Sequence, residues 1–212
     1  MQKTFPSIKE LHLNEHMPTL ICDADEVIFD FMNEFLKFMK QNDLKFNWKS
    51  YALTGNIIKK NKIPLNEYEV KALINKFFKN CTLTMNTVNG VVNAFKKISK
   101  YYNIVILSNI PFEFYNLRKK ALIKNNLVYP FFANTGEKGS TSSYIFSKLK
   151  RKTWFIDDSP FQVASVRKKQ PKIRTILFVA NTNLAKLIID KKEYDFYTTD
   201  WTQNTEILLN NF

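Results

Sequence analysis

Four short apolar runs punctuate the chain, and each ends in polar or acidic residues. The first is Thr19-Leu20-Ile21-Cys22, followed by Asp23. The second is Ile104-Val105-Ile106-Leu107, followed by Ser108-Asn109. The third is Thr153-Trp154-Phe155-Ile156, followed by Asp157-Asp158, and the fourth is Thr175-Ile176-Leu177-Phe178-Val179, followed by Ala180-Asn181. Continuous runs of this length, rich in β-branched and aromatic residues, predict strands buried on both faces. Between them the apolar positions recur with helical spacing. Phe31, Phe35, Phe38 and Met39 share one face of a helix starting near Phe29; Val91, Val92, Phe95 and Ile98 share another. Phe114, Leu117, Ala121 and Leu122 follow the second run, Val163 and Val166 the third, and Leu184, Leu187 and Ile188 the fourth. A further strand is expected at Phe196-Tyr197-Thr198 and a last helix near Glu206 to Leu209.

Strands alternating with helices predict an α/β fold: a Rossmann-like, three-layer core around a parallel sheet. The stretch from about Gln41 to Val88 breaks this rhythm and contains no convincing strand. Asn66 is a good helix N-cap, with Glu69 placed to complete a capping box and Leu65 and Val70 placed as a hydrophobic staple. The helix should run to about Asn80 and bury Val70, Leu73, Ile74 and Phe77. This predicts a core of residues 1–40 and 88–212, with a small helical cap, 41–87, inserted after the first strand-helix unit.

Composition changes this picture little. The 212 residues, 45% hydrophobic and 24% charged, suit one globular domain with a modest insertion. The net charge of +13 could attract nucleic acid, an anionic membrane or a phosphorylated substrate, but the lysines are scattered along the chain. Cys22 and Cys81 form no C-x-x-C pair, which argues against zinc or a disulfide framework. The polar segment Met1 to Met17 has no apolar signal-peptide core, and no run approaches the ~20 residues of a membrane span. A cytoplasmic protein without membrane contact is expected. His12 and His16 precede the first strand and are expected to be ordinary surface residues.

The chemistry lies at the strand ends. In an open parallel sheet, ligands bind beyond the carboxyl ends of the strands, near a switch in strand order. That edge receives Asp23 and Asp25, then Ser108 and Asn109, then Asp157 and Asp158, with Lys138 in the loop Thr135-Gly136-Glu137-Lys138-Gly139-Ser140 as a further contributor. Converging carboxylates repel one another, and a divalent metal relieves the repulsion; magnesium suits such hard oxygen ligands. A carboxylate can attack phosphorus, a second can protonate the leaving oxygen and then activate water, and a lysine and a hydroxyl can hold the phosphoryl charge.

These motifs together resemble the haloacid dehalogenase superfamily. Asp23-Ala24-Asp25-Glu26-Val27, Leu107-Ser108-Asn109, Lys138 and Phe155-Ile156-Asp157-Asp158-Ser159 stand in that family's order, over about residues 18 to 181. The resemblance implies Asp23 as nucleophile and metal ligand, and Asp25 as general acid/base with its carbonyl on Mg2+. It implies Ser108 as a phosphoryl-binding residue, Lys138 as the catalytic lysine, and Asp157 and Asp158 as the metal anchor. Asn109, next to Ser108, is grouped with it as substrate-binding. The true dehalogenases of this pattern lack an acid at the position of Asp25, so its presence implies phosphate chemistry, hydrolase or mutase. Asp23-x-Asp25-x-Val27-x-x-Asp30-Phe31 is similar to the opening of the deoxyribonucleotidase branch, with Glu26 where Gly is usual. The expected function is therefore Mg2+-dependent phosphomonoester hydrolysis on a small phosphorylated metabolite, with a nucleoside monophosphate as the leading candidate. The alternatives are a phosphatase acting on nucleic-acid ends and a non-catalytic binding protein of the same fold. Trp48, Tyr51, Phe77 and Phe78 are candidates to stack on a base or to fill the core.

Overall fold

The computed structural model describes residues 4–188 and 193–211. In chain order its elements are β1 (Thr4–Phe5), β2 (Thr19–Cys22), α1 (Phe31–Gln41), β3 (Leu44–Phe46), β4 (Ile57–Lys59) and α2 (Glu67–Cys81). Then come α3 (Val91–Ile98), β5 (Asn103–Ser108), α4 (Tyr115–Lys124), β6 (Phe131–Asn134), α5 (Gly139–Leu149) and β7 (Thr153–Asp157). The chain closes with α6 (Pro160–Lys169), β8 (Arg174–Phe178), α7 (Thr182–Ala185), β9 (Phe196–Thr198) and α8 (Trp201–Asn210). Among the described residues, no helix is long and apolar enough to cross a membrane.

The expected buried strands form the middle of one seven-stranded sheet, ordered β1-β6-β5-β2-β7-β8-β9. All neighbours are parallel except β1, which runs antiparallel to β6. Strand β2 is wholly buried between β5 and β7, as a continuous apolar run requires. The chain leaves β2 first toward β5 and β6, then returns to its other side for β7, β8 and β9. The switch in strand order therefore falls at β2. Cys22 pairs with Ile106 of β5 and Ile156 of β7, so Asp23 leaves the sheet level with Leu107 and Asp157. Helix α6 packs on β7 and β8, α5 packs on α6, and α3 packs on α8, which fits the layered α/β architecture.

Several elements differ from the expectation. Residues 41–87 are not wholly helical: β3 and β4 pair as an antiparallel hairpin, Leu44 opposite Lys59. Each is only three residues long and partly exposed, too short to show a two-residue period. Strand β6 is a short buried run after Pro130, and β1 is a two-residue edge strand; neither was foreseen. Helix α7 ends at Ala185, so Leu187 and Ile188 lie beyond it. Helix α2 does have its capping box: the Asn66 side chain accepts the Glu69 N–H at 3.0 Å, and the Glu69 carboxylate accepts the Asn66 N–H at 2.9 Å. It buries Val70, Leu73, Phe77 and Phe78, with Ile74 half-buried.

Helix α1 does not lie on the sheet as the first strand-helix unit would suggest. Its apolar face meets α2 and the hairpin. Phe31, Phe35 and Phe38 surround Phe77, with ring centroids 5.2, 5.1 and 5.5 Å away at steep, edge-on angles. Edge-to-face rings add stabilisation beyond the area they bury. Phe77 is therefore core, whereas Phe78, one position further round the helix, reaches the space above β2.

Candidate active site

The carboxyl ends of β5, β2 and β7 deliver the expected residues to one place. Asp23 and Asp157 are 5% and 1% exposed, and Lys138 is 2% exposed. The Lys138 ammonium touches Asp23 Oδ1 and donates to Asp157 Oδ2 at 2.7 Å. A buried lysine alone would be pushed toward neutrality. Here burial does pull its pKa down, but Asp157 and Asp23 more than offset that and hold it above the ordinary value. Burial, and then the Asp157 and Asp25 charges, push Asp23 up to about 7 against the counter-pull of Lys138. Asp158 is driven well up by burial and by the Asp157 and Asp23 charges. The site thus holds more negative charge than its own cations neutralise.

Lys138 is set by its backbone. Gly136 turns the chain with φ +73°, in the left-handed region where glycine carries no Cβ penalty. Its carbonyl accepts from three amides: Asn109 at 2.9 Å, Asn134 at 3.3 Å and Gln162 at 3.3 Å. Gln162 of α6 also accepts the Lys138 N–H at 2.9 Å. Gly139 plays a different part from that of a flexible loop residue. A Cβ there would stand 2.3 Å from the Ser165 carbonyl oxygen, so its hydrogen lets α5 close against α6. Asn109 is thus a strut for this loop as well as a cavity-lining residue.

Asp25 and Ser108 are close to each other, since the Ser108 hydroxyl donates to Asp25 Oδ2 at 3.3 Å. Ser108 is fully buried and is not part of the cavity wall. The other Asp25 oxygen takes an ion pair from Arg118, which sequence reading missed. Arg118 is 0% exposed, its guanidinium lies 4.4 Å from the Phe29 ring centroid, and its Nε and Nη1 have no hydrogen-bond partner. The available signal was a charged residue on the otherwise apolar face of α4, between Tyr115 and Leu122.

Glu26 stands at φ +65°, so the turn that the resemblance assigns to Gly is made by a glutamate. Its side chain gives a compensating contact: Oε2 accepts the Met32 N–H, in the first turn of α1, at 2.7 Å. Burial pushes Glu26 up to about 7, with Asp30 and Asp25 adding to the rise and the Met32 N–H opposing it. The loop is braced from the far side by Trp201, whose indole N–H donates to the Val27 carbonyl at 2.9 Å.

A cavity of about 280 Å³ lies above these groups. Asp23, Asp25, Lys138, Asp157 and Asp158 form its polar floor, and Phe31, Tyr51, Leu53, Ile74 and Phe78 line its other side. The Tyr51 hydroxyl donates to Asp158 Oδ2 at 2.9 Å and lies 2.8 Å from the Asp158 carbonyl. Tyr51 rides on the β3–β4 loop, which folds around buried Asn56: its amide donates to the Ser50 and Ala52 carbonyls at 3.1 and 2.7 Å. Trp48 packs on Phe46 and is not part of the cavity wall. His12 and His16 are exposed.

One carboxylate oxygen each from Asp23, Asp157 and Asp158 lies within 4.8 Å of the other two. A single ion with oxygen ligands at about 2.0–2.6 Å spans about 4–5 Å, so this all-oxygen set fits a hard divalent cation. The Asp25 side chain is outside the trio and engaged by Arg118 and Ser108.

The carboxylate pair Asp23 and Asp25 leaves the central strand of the parallel sheet at its switch point, with Lys138 and a second acidic pair beside it. Solved structures share the fold that carries it. The fold superposes with a TM-score of 0.63 on a conserved haloacid dehalogenase-like protein from Agrobacterium tumefaciens, 12% identical, over 92% of this chain and 99% of that one. It does so at 0.59 on a protein described as a HAD-hydrolase from Bacillus subtilis bound to magnesium, 12% identical, over 92% and 99%. A HAD family hydrolase from Deinococcus radiodurans with bound phosphate and sodium gives 0.58 at 10% identity, over 93% and 97%. The sequence itself matches no protein-family model and no curated protein. The chain has the haloacid dehalogenase-like fold.

Proposed function

We propose that this chain is a magnesium-dependent phosphomonoester hydrolase acting through an aspartyl-phosphate on Asp23. The observation that carries the reading is the meeting of Asp23, Lys138, Asp157 and Asp158 at the β2 switch point, under a cavity sized for a small molecule. Asp23, Asp157 and Asp158 would hold the metal, with the Asp25 carbonyl as a further oxygen. When bound, Mg2+ would supply positive charge against the phosphoryl oxygens. The magnesium and phosphate bound by two proteins of this fold support the same chemistry.

In this reading an Asp23 carboxylate oxygen attacks phosphorus, and the ester P–O bond breaks. The departing oxygen takes its proton from Asp25, whose carboxyl must first leave the ion pair with Arg118 to carry that proton. Water then attacks the aspartyl-phosphate, giving its proton to Asp25 and releasing inorganic phosphate and free Asp23. Lys138 keeps Asp23 oriented and offsets its charge. Asn109 holds the Gly136 turn that carries Lys138, and Ser108 works through Asp25 in the arrangement seen.

We further propose that the cap comprises α1 together with residues 41–87, because Phe31, Phe35 and Phe38 pack on α2. A nucleoside monophosphate is the leading substrate candidate. Support for a small substrate over a nucleic-acid end comes from the cavity itself, where the one cation among the described lining residues, Lys138, is already held by two aspartates.

Turnover of p-nitrophenyl phosphate with and without Mg2+ tests the reading. The wild type is expected to exceed Asp23→Asn by at least a hundredfold and to lose activity on chelation. Equal, background turnover by both proteins across a broad phosphoester panel would mean that the fold serves as a binding module instead.

A further inference from the structure

The cavity is divided by chemistry. Its far wall comes from Phe31 and Met32 of α1, Leu53 of the hairpin loop, Ile74 and Phe78 of α2, and Leu184 of α7. The Tyr51 hydroxyl is the polar group on this side, and it is engaged by Asp158. Among the described residues lining the cavity, Lys138 is the only cation, and both its acceptors are aspartates. Asp25, Glu26 and Asp158 add further carboxyl groups around the same space.

We propose that this cavity takes a phosphomonoester whose alcohol portion is uncharged, with a flat or branched apolar body lying against Phe31, Leu53, Ile74 and Phe78. The same cavity discriminates against esters carrying a carboxylate or a second phosphate. The identity of the phosphate end rests on the phosphohydrolase reading; the selectivity rests on the wall. An apolar body entering here exchanges water for carbon surface and is favoured. An anion on the same body would lose its hydration facing hydrocarbon, with no cation among the described wall residues to receive it and several carboxyl groups nearby. Among the described residues of the wall, none offers the bidentate or ammonium contacts by which proteins hold carboxylates and phosphates.

Calorimetric titration of the full chain in Mg2+ with two phosphonates, which cannot be hydrolysed, tests this without relying on turnover. Benzylphosphonate is expected to bind at least tenfold more tightly than phosphonoacetate. Leu53→Arg, which adds a cation to the wall, is expected to narrow that ratio tenfold or more; Ile74→Arg serves if the first variant does not fold. Equal or reversed affinities in the wild type, no binding of either phosphonate, or a ratio unmoved by a folded variant would each overturn the proposal. The expected order in a protein with no phosphatase activity would sink the hydrolase reading and leave the cavity's selectivity standing. Turnover with the reversed order would do the opposite.

Discussion

Replacing Gly139 by alanine probes how α5 fixes Lys138. An added Cβ meets the Ser165 carbonyl oxygen at 2.3 Å, its carbon at 2.9 Å and the Lys169 Cβ at 3.1 Å. The first two are backbone atoms and cannot rotate away. An unstrained carbon–oxygen contact is about 3.3 Å, so α5 and α6 must part by about 1 Å. Overpacking of this kind costs about 1–3 kcal/mol. Alanine's better helix propensity returns at most about 1 kcal/mol, and less in the first turn. The net expectation is a loss of about 1–2 kcal/mol, read as a lower urea midpoint at unchanged slope. The same shift strains the Lys138 N–H bond to Gln162, and a misplacement of about 1 Å at a reacting group costs on the order of a hundredfold in rate. Gly136→Ala is the contrasting variant. Nothing lies within 4 Å of its Cβ, so it carries only left-handed strain, about 1 kcal/mol. If Gly139→Ala is as stable as the wild type, the close approach of α5 to α6 is wrong, and so is the account of how Lys138 is held.

Arg118→Leu should destabilise the fold by about 3 kcal/mol in urea unfolding, since it leaves the Asp25 carboxylate without its buried partner; the side chain of Asp25 keeps 21% exposure, which places the cost at the lower end for a broken buried pair. A cost below about 1 kcal/mol would show that the pair is not formed in solution. Glu26→Gln keeps an oxygen for the Met32 N–H but removes a proton equilibrium. The folded-state pKa of Glu26 lies near 7 against an ordinary 4.5, so its contribution is fully present below about 4.5 and is lost as pH rises to about 7, a change on the order of 3 kcal/mol. Stability measured against pH should therefore fall less across that window in the variant than in the wild type. Asp23 titrates similarly in both proteins, so parallel profiles would refute the assignment to Glu26.

The centre of this protein is legible from its residues in order. A strand buried on both faces must be continuously apolar, so β2, β5, β7 and β8 were visible as runs, and the polar residues after them were visible as an edge. The capping box of α2 was equally legible because its partners are three residues apart. What depended on distant partners was not. Strands β1 and β6 are defined by pairing with each other and with β5, and the β3–β4 hairpin is too short and too exposed to show a period. Helix α1 has one apolar face, and no local pattern says whether that face meets the sheet or α2. Arg118 reaches Asp25 across 93 residues of chain, and Tyr51 reaches Asp158 across 107. Side-chain type and spacing fix which groups could do chemistry. Which carboxylates Lys138 neutralises, which one Arg118 restrains, and that the wall facing them is hydrocarbon follow from how segments far apart in the chain pack together.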